Sequence, residues 1–208
     1  MNCLTDNEIH KICKEYGITN YTINGDGSID VDGDVDLSWR GLTKLPLKFN
    51  NVSGYFSCGD NKLESLEGCP QSVGGYFNCA WGNLTTLEGC PKSVGGYFNC
   101  NNNKLITLEG CPQSVGGYFN CNNNNLITLE GCPQSVGGNF LCYNNQLTSL
   151  EGSPQSVEHF WCHNNYLTTL EGGPKSVGGD FLCHNNPIHY QLGDIDYKSY
   201  IKQLNRDK

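Results

Sequence analysis

A cysteine returns at almost constant spacing along most of this 208-residue chain. These cysteines are Cys58, Cys79, Cys100, Cys121, Cys142, Cys162 and Cys183, and the intervals are 21 residues with one of 20. Prolines 70, 91, 112, 133, 154 and 174 keep nearly the same spacing. Self-similarity at such a period indicates a solenoid, in which each unit packs only on its neighbours. Only 37% of the residues are hydrophobic, but strict periodicity lets a repeat protein build a core from few of them.

Each unit carries the same order of apolar and polar positions. In one unit these positions are Phe98, Cys100, Asn103, Leu105 and Leu108. Phe and Cys, two residues apart, point to the same side of a short strand. The recurring Asn carries an amide suited to backbone groups at the following bend, and Gly82 takes its place in one unit, where we expect a less well held turn. Proline in the return segment favours an extended path without a strand, and Gly-Gly before each strand favours a tight bend.

This order resembles the leucine-rich-repeat pattern L-x-L-x-x-N-x-L-x-x-L over about residues 31–190. The return phrase Leu-Glu-Gly-Cys-Pro-Gln-Ser-Val is similar to that of bacterial effector repeats, and residues 26–46 resemble tandem arrays encoded in tailed-phage genomes. The resemblance implies a solenoid with a parallel β-sheet on its concave face and extended return segments. Such effectors also carry a ubiquitin-ligase domain after the repeats. Here residues 191–208 follow the array, so that activity is not expected.

The sequence predicts three parts. Residues 1–30 form an N-terminal cap, in which Thr5 and Glu8 match a helix capping box and Gly17 ends the helix. Residues 31–190 form about eight repeats. Residues 191–208 form a C-terminal capping helix, because a solenoid needs a lid over its last core layer. The apolar residues of that helix are Ile195, Tyr200, Ile201 and Leu204.

Charge and cysteine content narrow the class of protein. A formal net charge of −8 and a pI near 5.0 argue against nucleic acids and anionic membranes as partners. No apolar run approaches the ~20 residues of a membrane span, and the start of the chain does not resemble a signal peptide. The thirteen cysteines are therefore interpreted as reduced, small core residues of a cytoplasmic protein, with a monomer favoured.

The sequence predicts no enzyme, no cofactor and no metal. It contains neither a phosphate loop nor a nucleophile elbow, and the repeat places the cysteines in the core, away from substrates. Three histidines near one end, His159, His163 and His184, raise a transition-metal alternative, although their spacing matches no zinc motif. The stretch around Asp26 and Asp30 raises a calcium alternative, although it departs from the EF-hand order.

Departures from the repeat at exposed strand positions indicate where a partner binds. The residues before and after Phe and Cys are similar from unit to unit in the first part of the array, and they differ from one unit to the next in the last three units. The individual ones form a candidate partner-binding patch of Leu141, Tyr143, His159, Trp161, His163, Asp180, Leu182 and His184. An alternative is that the older repeats have drifted in sequence and that these side chains cover the approach to the C-terminal cap. A weaker candidate surface is the column Tyr55, Tyr76, Tyr97 and Tyr118, which can equally serve to stabilise the sheet.

The leading functional hypothesis is a binding scaffold that contacts another protein with its concave face. The phage-like resemblance implies a sharper form, a viral factor that binds and blocks a host protein such as a defence component. The second hypothesis is a structural or surface-recognition module, such as a virion component, an adhesin or a glycan binder, since Tyr, Trp and Asn also suit sugars. Binding to ice or a mineral ranks last, because Ile127 and Ser149 interrupt the column of threonines.

Overall fold

A computed structural model describes residues 4–188 together with Tyr197 and Ser199. The chain winds into a β-solenoid of about seven turns, preceded by one helix. The predicted C-terminal capping helix (191–208) lies outside the described residues, apart from Tyr197 and Ser199. None of the helices in the described part has the length and apolar character needed to cross a lipid bilayer.

The helix α1 (Asp6–Tyr16) begins and ends as its sequence predicts. The Thr5 hydroxyl oxygen accepts a hydrogen bond from the Glu8 backbone N–H, and the Glu8 carboxylate accepts one from the Thr5 N–H. Gly17 follows with φ 69°, in the left-handed region that glycine adopts without strain. Ile9 and Cys13 are fully buried, so the helix packs its apolar side against the first turns of the solenoid.

The Phe and Cys positions lie on one eight-stranded parallel sheet, here called the Phe sheet. Its strands are Val35–Asp36 (β3), Phe56–Ser57 (β5), Phe77–Asn78 (β7), Phe98–Asn99 (β9), Phe119–Asn120 (β11), Phe140–Leu141 (β13), Phe160–Trp161 (β15) and Phe181–Leu182 (β17). Each Phe pairs with the Phe of the next turn, so equivalent residues form straight columns. The predicted parallel stacking is therefore confirmed.

A second sheet, here called the Val sheet, runs through the return segments. Its strands are Tyr21–Ile23 (β1), Ile29–Val31 (β2), Phe49–Val52 (β4), Ser72–Val73 (β6), Ser93–Val94 (β8), Ser114–Val115 (β10) and Ser135–Val136 (β12), followed by the separate pair Ser156–Val157 (β14) and Ser176–Val177 (β16). Among the strands of the described ranges, β1 and β2 are the one antiparallel pair. The prediction of a strand-free return path was wrong. In each unit the proline precedes the Ser-Val pair, so both residues of the pair keep a backbone N–H that can bond to the neighbouring turn.

The core lies between the two sheets and is built from repeated columns. Phe98, Cys100, Leu105 and Leu108 are fully buried, as are their equivalents in most turns, and Val94 closes the core from the Val sheet. Successive Phe rings stack with centroids 5.2–5.8 Å apart. At the far end Tyr197 lies flat on Phe181, with its hydroxyl donating to the Pro174 carbonyl at 2.8 Å.

The Gly-Gly pairs allow this close stacking of turns. A β-carbon at Gly74 would overlap the carbonyl oxygen of Ser53 in the previous turn, and one at Gly95 would overlap that of Gly74. The short distance between the two backbones also lets the glycine N–H groups donate to carbonyls of the previous turn. Gly95 N–H, for instance, donates to Val73 O at 2.9 Å. Glycine is needed here for space, because no side chain fits between the two backbones.

Candidate functional site

The outer face of the Phe sheet consists of four columns of side chains. The first precedes the Phe position and comprises Asp34, Tyr55, Tyr76, Tyr97, Tyr118, Asn139, His159 and Asp180. The second follows Phe and comprises Asp36, Ser57, Asn78, Asn99, Asn120, Leu141, Trp161 and Leu182. The third follows Cys and comprises Ser38, Gly59, Ala80, Asn101, Asn122, Tyr143, His163 and His184. The fourth comprises Trp39, Asp60, Trp81, Asn102, Asn123, Asn144, Asn164 and Asn185, all with positive φ.

The four tyrosines of the first column form a stacked ladder. Neighbouring ring centroids lie 4.4–4.5 Å apart with interplanar angles of 3–6°. Burial against each other raises the pKa of Tyr76 and of Tyr118 to about 12. The inner ring faces are covered by neighbouring rings, so an outside partner meets mainly ring edges and hydroxyls. The ladder therefore acts first as a cross-strand stabiliser.

The structure brings all eight residues of the predicted patch together on strands β13, β15 and β17 and the residues beside them. We call this surface the C-terminal patch. Leu141, Trp161 and Leu182 pair in register, so an indole lies between two leucines. Tyr143, His163 and His184 form a second row with both centroid distances at 4.5 Å. Most of these side chains are half-buried, while Asp180 and His184 are exposed.

Two polar atoms in the C-terminal patch have no hydrogen-bond partner. Trp161 Nε1 and His163 Nδ1 are buried from solvent by their neighbours, and neither is within hydrogen-bonding distance of another described group. Two further buried atoms have no hydrogen bond to a described group, namely Asn139 Oδ1 beside the patch and Asn101 Oδ1 in the middle of the face. Buried polar groups are nearly always satisfied, and an unpaired one costs about 1–3 kcal/mol. The two atoms of the patch are therefore available for a hydrogen bond with a group outside the described residues.

The histidines of the patch differ in their surroundings. Burial, followed by the nearby His184, lowers the pKa of His163. His159 Nδ1 accepts the Asp180 N–H at 2.9 Å and lies 3.2 Å from the Asp180 carboxylate. The bond from the N–H requires a free lone pair on Nδ1, whereas a bond to the carboxylate requires a proton there, so Nδ1 can make only one of the two at a time.

The metal alternatives find no support in the geometry of the described residues, which contain no group of three or more His, Cys, Asp or Glu arranged to hold an ion. The His163 and His184 rings are stacked within 10° of parallel, so their nitrogens do not converge on one point. At the N-terminal end, Asp26 bonds Lys48 Nζ at 2.6 Å and Ser28, and Asp30 accepts from Asn50 and Asn51. Those carboxylates already have partners.

The Val sheet is interrupted beside the C-terminal patch. The unit of 20 residues has Glu158 between Val157 and His159, where the preceding unit has Gly137 and Gly138. The seven-stranded part of the sheet ends at β12, and β14 pairs only with β16. The one-residue deletion thus shifts the backbone of the turn that leads into His159 and Trp161. The sequence shows the deletion in its spacing but not this consequence.

Sequence reasoning missed two exposed tryptophans at the opposite end of the face. Trp39 and Trp81 are 78% and 59% exposed and occupy the fourth column, where five turns have Asn. A comparison of equivalent positions across the repeats would have identified them, because they are the bulky exceptions in that column. Asp60 lies in the turn between them.

No model of a known protein family matches this chain. No curated protein is significantly similar to it in sequence.

Proposed function

We propose that this chain is a non-enzymatic binding scaffold of the leucine-rich-repeat type that contacts another protein through the C-terminal patch. The observation that carries the proposal is the pair of atoms without a hydrogen bond to any described group, Trp161 Nε1 and His163 Nδ1, which lie among the aromatic and aliphatic side chains of the patch. Aromatic residues on a rigid strand face make strong contact anchors, and a partner group that satisfies the two atoms would add direction to the contact.

The leucine-rich-repeat assignment is supported by the buried asparagines. In the turn of Asn124, the amide Nδ2 donates to the Cys100 and Cys121 carbonyls, and Oδ1 accepts from the Leu105 N–H. Apolar residues two apart followed by an asparagine that bonds the backbone of two turns suit that repeat class. The assignment remains a proposal about family, and a second sheet in the return segments is compatible with it.

The proposed location is the cytoplasm, of the host cell if the chain is viral. The twelve cysteines in the described part of the chain are all free thiols, and all but Cys183 are buried. Unpaired thiols persist in a reducing compartment. The sharper proposal, a phage-encoded inhibitor of a host defence protein, rests on the resemblance of residues 26–46 to phage arrays.

The test is affinity capture of host proteins with variants matched to the repeat. Trp161→Asn and His163→Asn introduce the residue that the same columns carry at Asn120 and Asn122, so the turns keep a side chain they already accommodate. A protein retained by the wild type and by a control variant outside both candidate surfaces, Asn125→Ala, but lost from the double variant supports the proposal. The captured protein, once purified, should then bind the double variant with an affinity at least tenfold lower than its affinity for the wild type. Equal retention by wild type and double variant refutes the patch.

The alternative is a structural or surface-recognition module, such as a virion component, an adhesin or a glycan binder. The column Asn78, Asn99 and Asn120 beside the tyrosine ladder favours this alternative, because amides and hydroxyls suit sugar hydroxyls. Stacking of sugars on the inner tyrosine rings is disfavoured, since those faces are covered at 4.4–4.5 Å. Binding of oligosaccharides that Asn99→Ala abolishes, with no protein captured, would select it.

A further inference from the structure

The fourth column of the outer face changes character along the solenoid. At the C-terminal end its asparagines form a side-chain ladder, in which Asn144 Nδ2 donates to Asn123 Oδ1 at 2.6 Å and Asn164 Nδ2 to Asn144 Oδ1 at 2.7 Å. At the N-terminal end the same column carries Trp39, Asp60 and Trp81. The backbone holds these three in equivalent places: Asp60 N–H donates to Ala80 O at 2.9 Å and Trp81 N–H to Asn101 O at 3.0 Å.

The two tryptophans contribute little to the fold. Both adopt positive φ, 59° at Trp39 and 57° at Trp81, a conformation that Asn tolerates and a bulky residue does not favour. Both indoles are largely exposed, so they bury little apolar surface in return. Asparagine serves in the same place in five other turns. A contact outside the chain accounts for the two indoles better than packing within it.

Asp60, between the two tryptophans, has a carboxylate without a cation. Within the described ranges, no Lys or Arg lies within 4.0 Å of it, and the one such ion pair joins Lys48 to Asp26. Desolvation by its neighbours raises the pKa of Asp60. Arg40 is held elsewhere, since its guanidinium lies 5.9 Å from the centroid of the Tyr16 ring in α1. The carboxylate is thus partly desolvated and open to a positive group from outside.

We propose that Trp39, Asp60 and Trp81 form a binding site for an arginine side chain of a basic partner segment. Adjacent parallel strands lie ~4.8 Å apart, which places the backbones of the two tryptophans ~10 Å apart with the Asp60 backbone midway. A guanidinium that binds the Asp60 carboxylate therefore lies beside both indoles. Arginine suits the site because its planar guanidinium stacks on aromatic rings and bonds carboxylates in bidentate fashion.

The surroundings indicate that the partner segment carries further positive charge. A depression of about 430 Å³ adjoins Trp39, and the charged residues in its lining are Asp34, Asp36 and Arg40, two carboxylates against one guanidinium. The chain has a formal net charge of −8, which attracts a basic segment at long range. This site lies on the first turns and the C-terminal patch lies on the last three, so either can fail in a test without the other.

The test uses the whole chain and a defined peptide, acetyl-Gly-Arg-Gly-Arg-Gly-amide. A second peptide carries citrulline in place of arginine and so keeps the shape without the charge. The three tryptophan indole N–H signals are followed by nitrogen–proton NMR during titration. We expect the signals of Trp39 and Trp81 to shift with the arginine peptide, that of Trp161 to stay, and the affinity to fall as salt is raised.

Variants matched to the column complete the test. Trp81→Asn and Asp60→Asn introduce the residue used in five equivalent turns, so they preserve the fold. Each should weaken binding of the arginine peptide by ~2–5-fold, and the double variant should remove it. Trp161→Leu, which repeats Leu141 and Leu182, should leave the affinity unchanged. Equal binding of the citrulline peptide, or wild-type affinity in the double variant, would overturn the proposal.

Discussion

The buried asparagine column supports a quantitative prediction, which we develop for Asn124. This residue is 8% exposed. Its Nδ2 donates to the carbonyls of Cys100 and Cys121 at 3.1 Å and of Asn122 at 3.2 Å, and its Oδ1 accepts from the Leu105 N–H at 3.1 Å. One side chain therefore satisfies backbone groups of two successive turns. We predict that Asn124→Ala destabilises the protein.

The size of the effect follows from which groups have a second partner. The three carbonyls keep another donor, namely Asn103 Nδ2 for Cys100, Asn145 Nδ2 for Cys121 and the Asn102 N–H for Asn122. The Leu105 N–H makes no other hydrogen bond within the described part of the chain. One orphaned buried N–H costs about 1–3 kcal/mol, and the weakened carbonyls add to it. We therefore expect a loss of about 3 kcal/mol in the free energy of unfolding.

Urea denaturation followed by circular dichroism measures this loss, with the slope checked because repeat arrays can depart from two-state behaviour. Asn125→Ala, one residue away and exposed, is the matched control and should change stability by less than about 0.5 kcal/mol. Asn124→Asp keeps the acceptor for Leu105 but removes the donors and places a carboxylate against three carbonyls, so it should destabilise more than the alanine variant at neutral pH. A value for Asn124→Ala within 0.5 kcal/mol of the control would refute the capping role.

The reciprocal change is available at Gly82, which takes the asparagine position in a repeat without the amide. Gly82→Asn should place an acceptor beside the Leu63 N–H, as Asn103 does for Leu84 at 3.0 Å. Gly82→Ala adds a β-carbon that would lie 2.8 Å from Asn103 Oδ1 and supplies no hydrogen bond. We expect the asparagine variant to be the more stable of the two by about 1–2 kcal/mol in the same urea assay. The opposite order would contradict this prediction.

The remaining predictions concern space, thiol chemistry and pH. Gly95→Ala should cost at least about 2 kcal/mol in urea unfolding, whereas Gly25→Ala, with open space around it, should cost less than about 1. Burial raises the pKa of the Cys100 thiol well above its usual range, whereas Cys183 is only half-buried. Of the twelve cysteines in the described part of the chain, native alkylation followed by mass spectrometry should therefore modify Cys183 first. Burial lowers the pKa of His163, so the unfolded chain binds more protons and stability falls as pH drops through about 6.5. The fall should be shallower in His163→Asn, and equal slopes would count against it.

The sequence by itself determined the period, the columns and the core. A repeat of 21 residues places identical side chains in register, because each turn packs on a copy of itself, and that local rule settles that Phe98, Cys100, Leu105 and Leu108 face inward. It also predicted the helix start at Thr5, since a capping box is formed within four residues of chain. The grouping of Trp161, His163 and their neighbours on one face follows from the same register.

Only the tertiary structure decided how the turns meet. The Ser-Val pairs are too short to predict as strands, and they form a sheet because the Gly-Gly pairs let the next backbone approach closely enough to bond. The seven-stranded sheet ends at Val136, because the next turn has one residue fewer between Val157 and His159 and its Ser-Val pair does not continue the sheet. Among the residues that the structure describes, the tertiary structure also leaves Trp161 Nε1 and His163 Nδ1 without a hydrogen-bond partner. Hydrogen bonds between turns depend on distances across 20 or 21 residues of chain, and no local pattern specifies those distances.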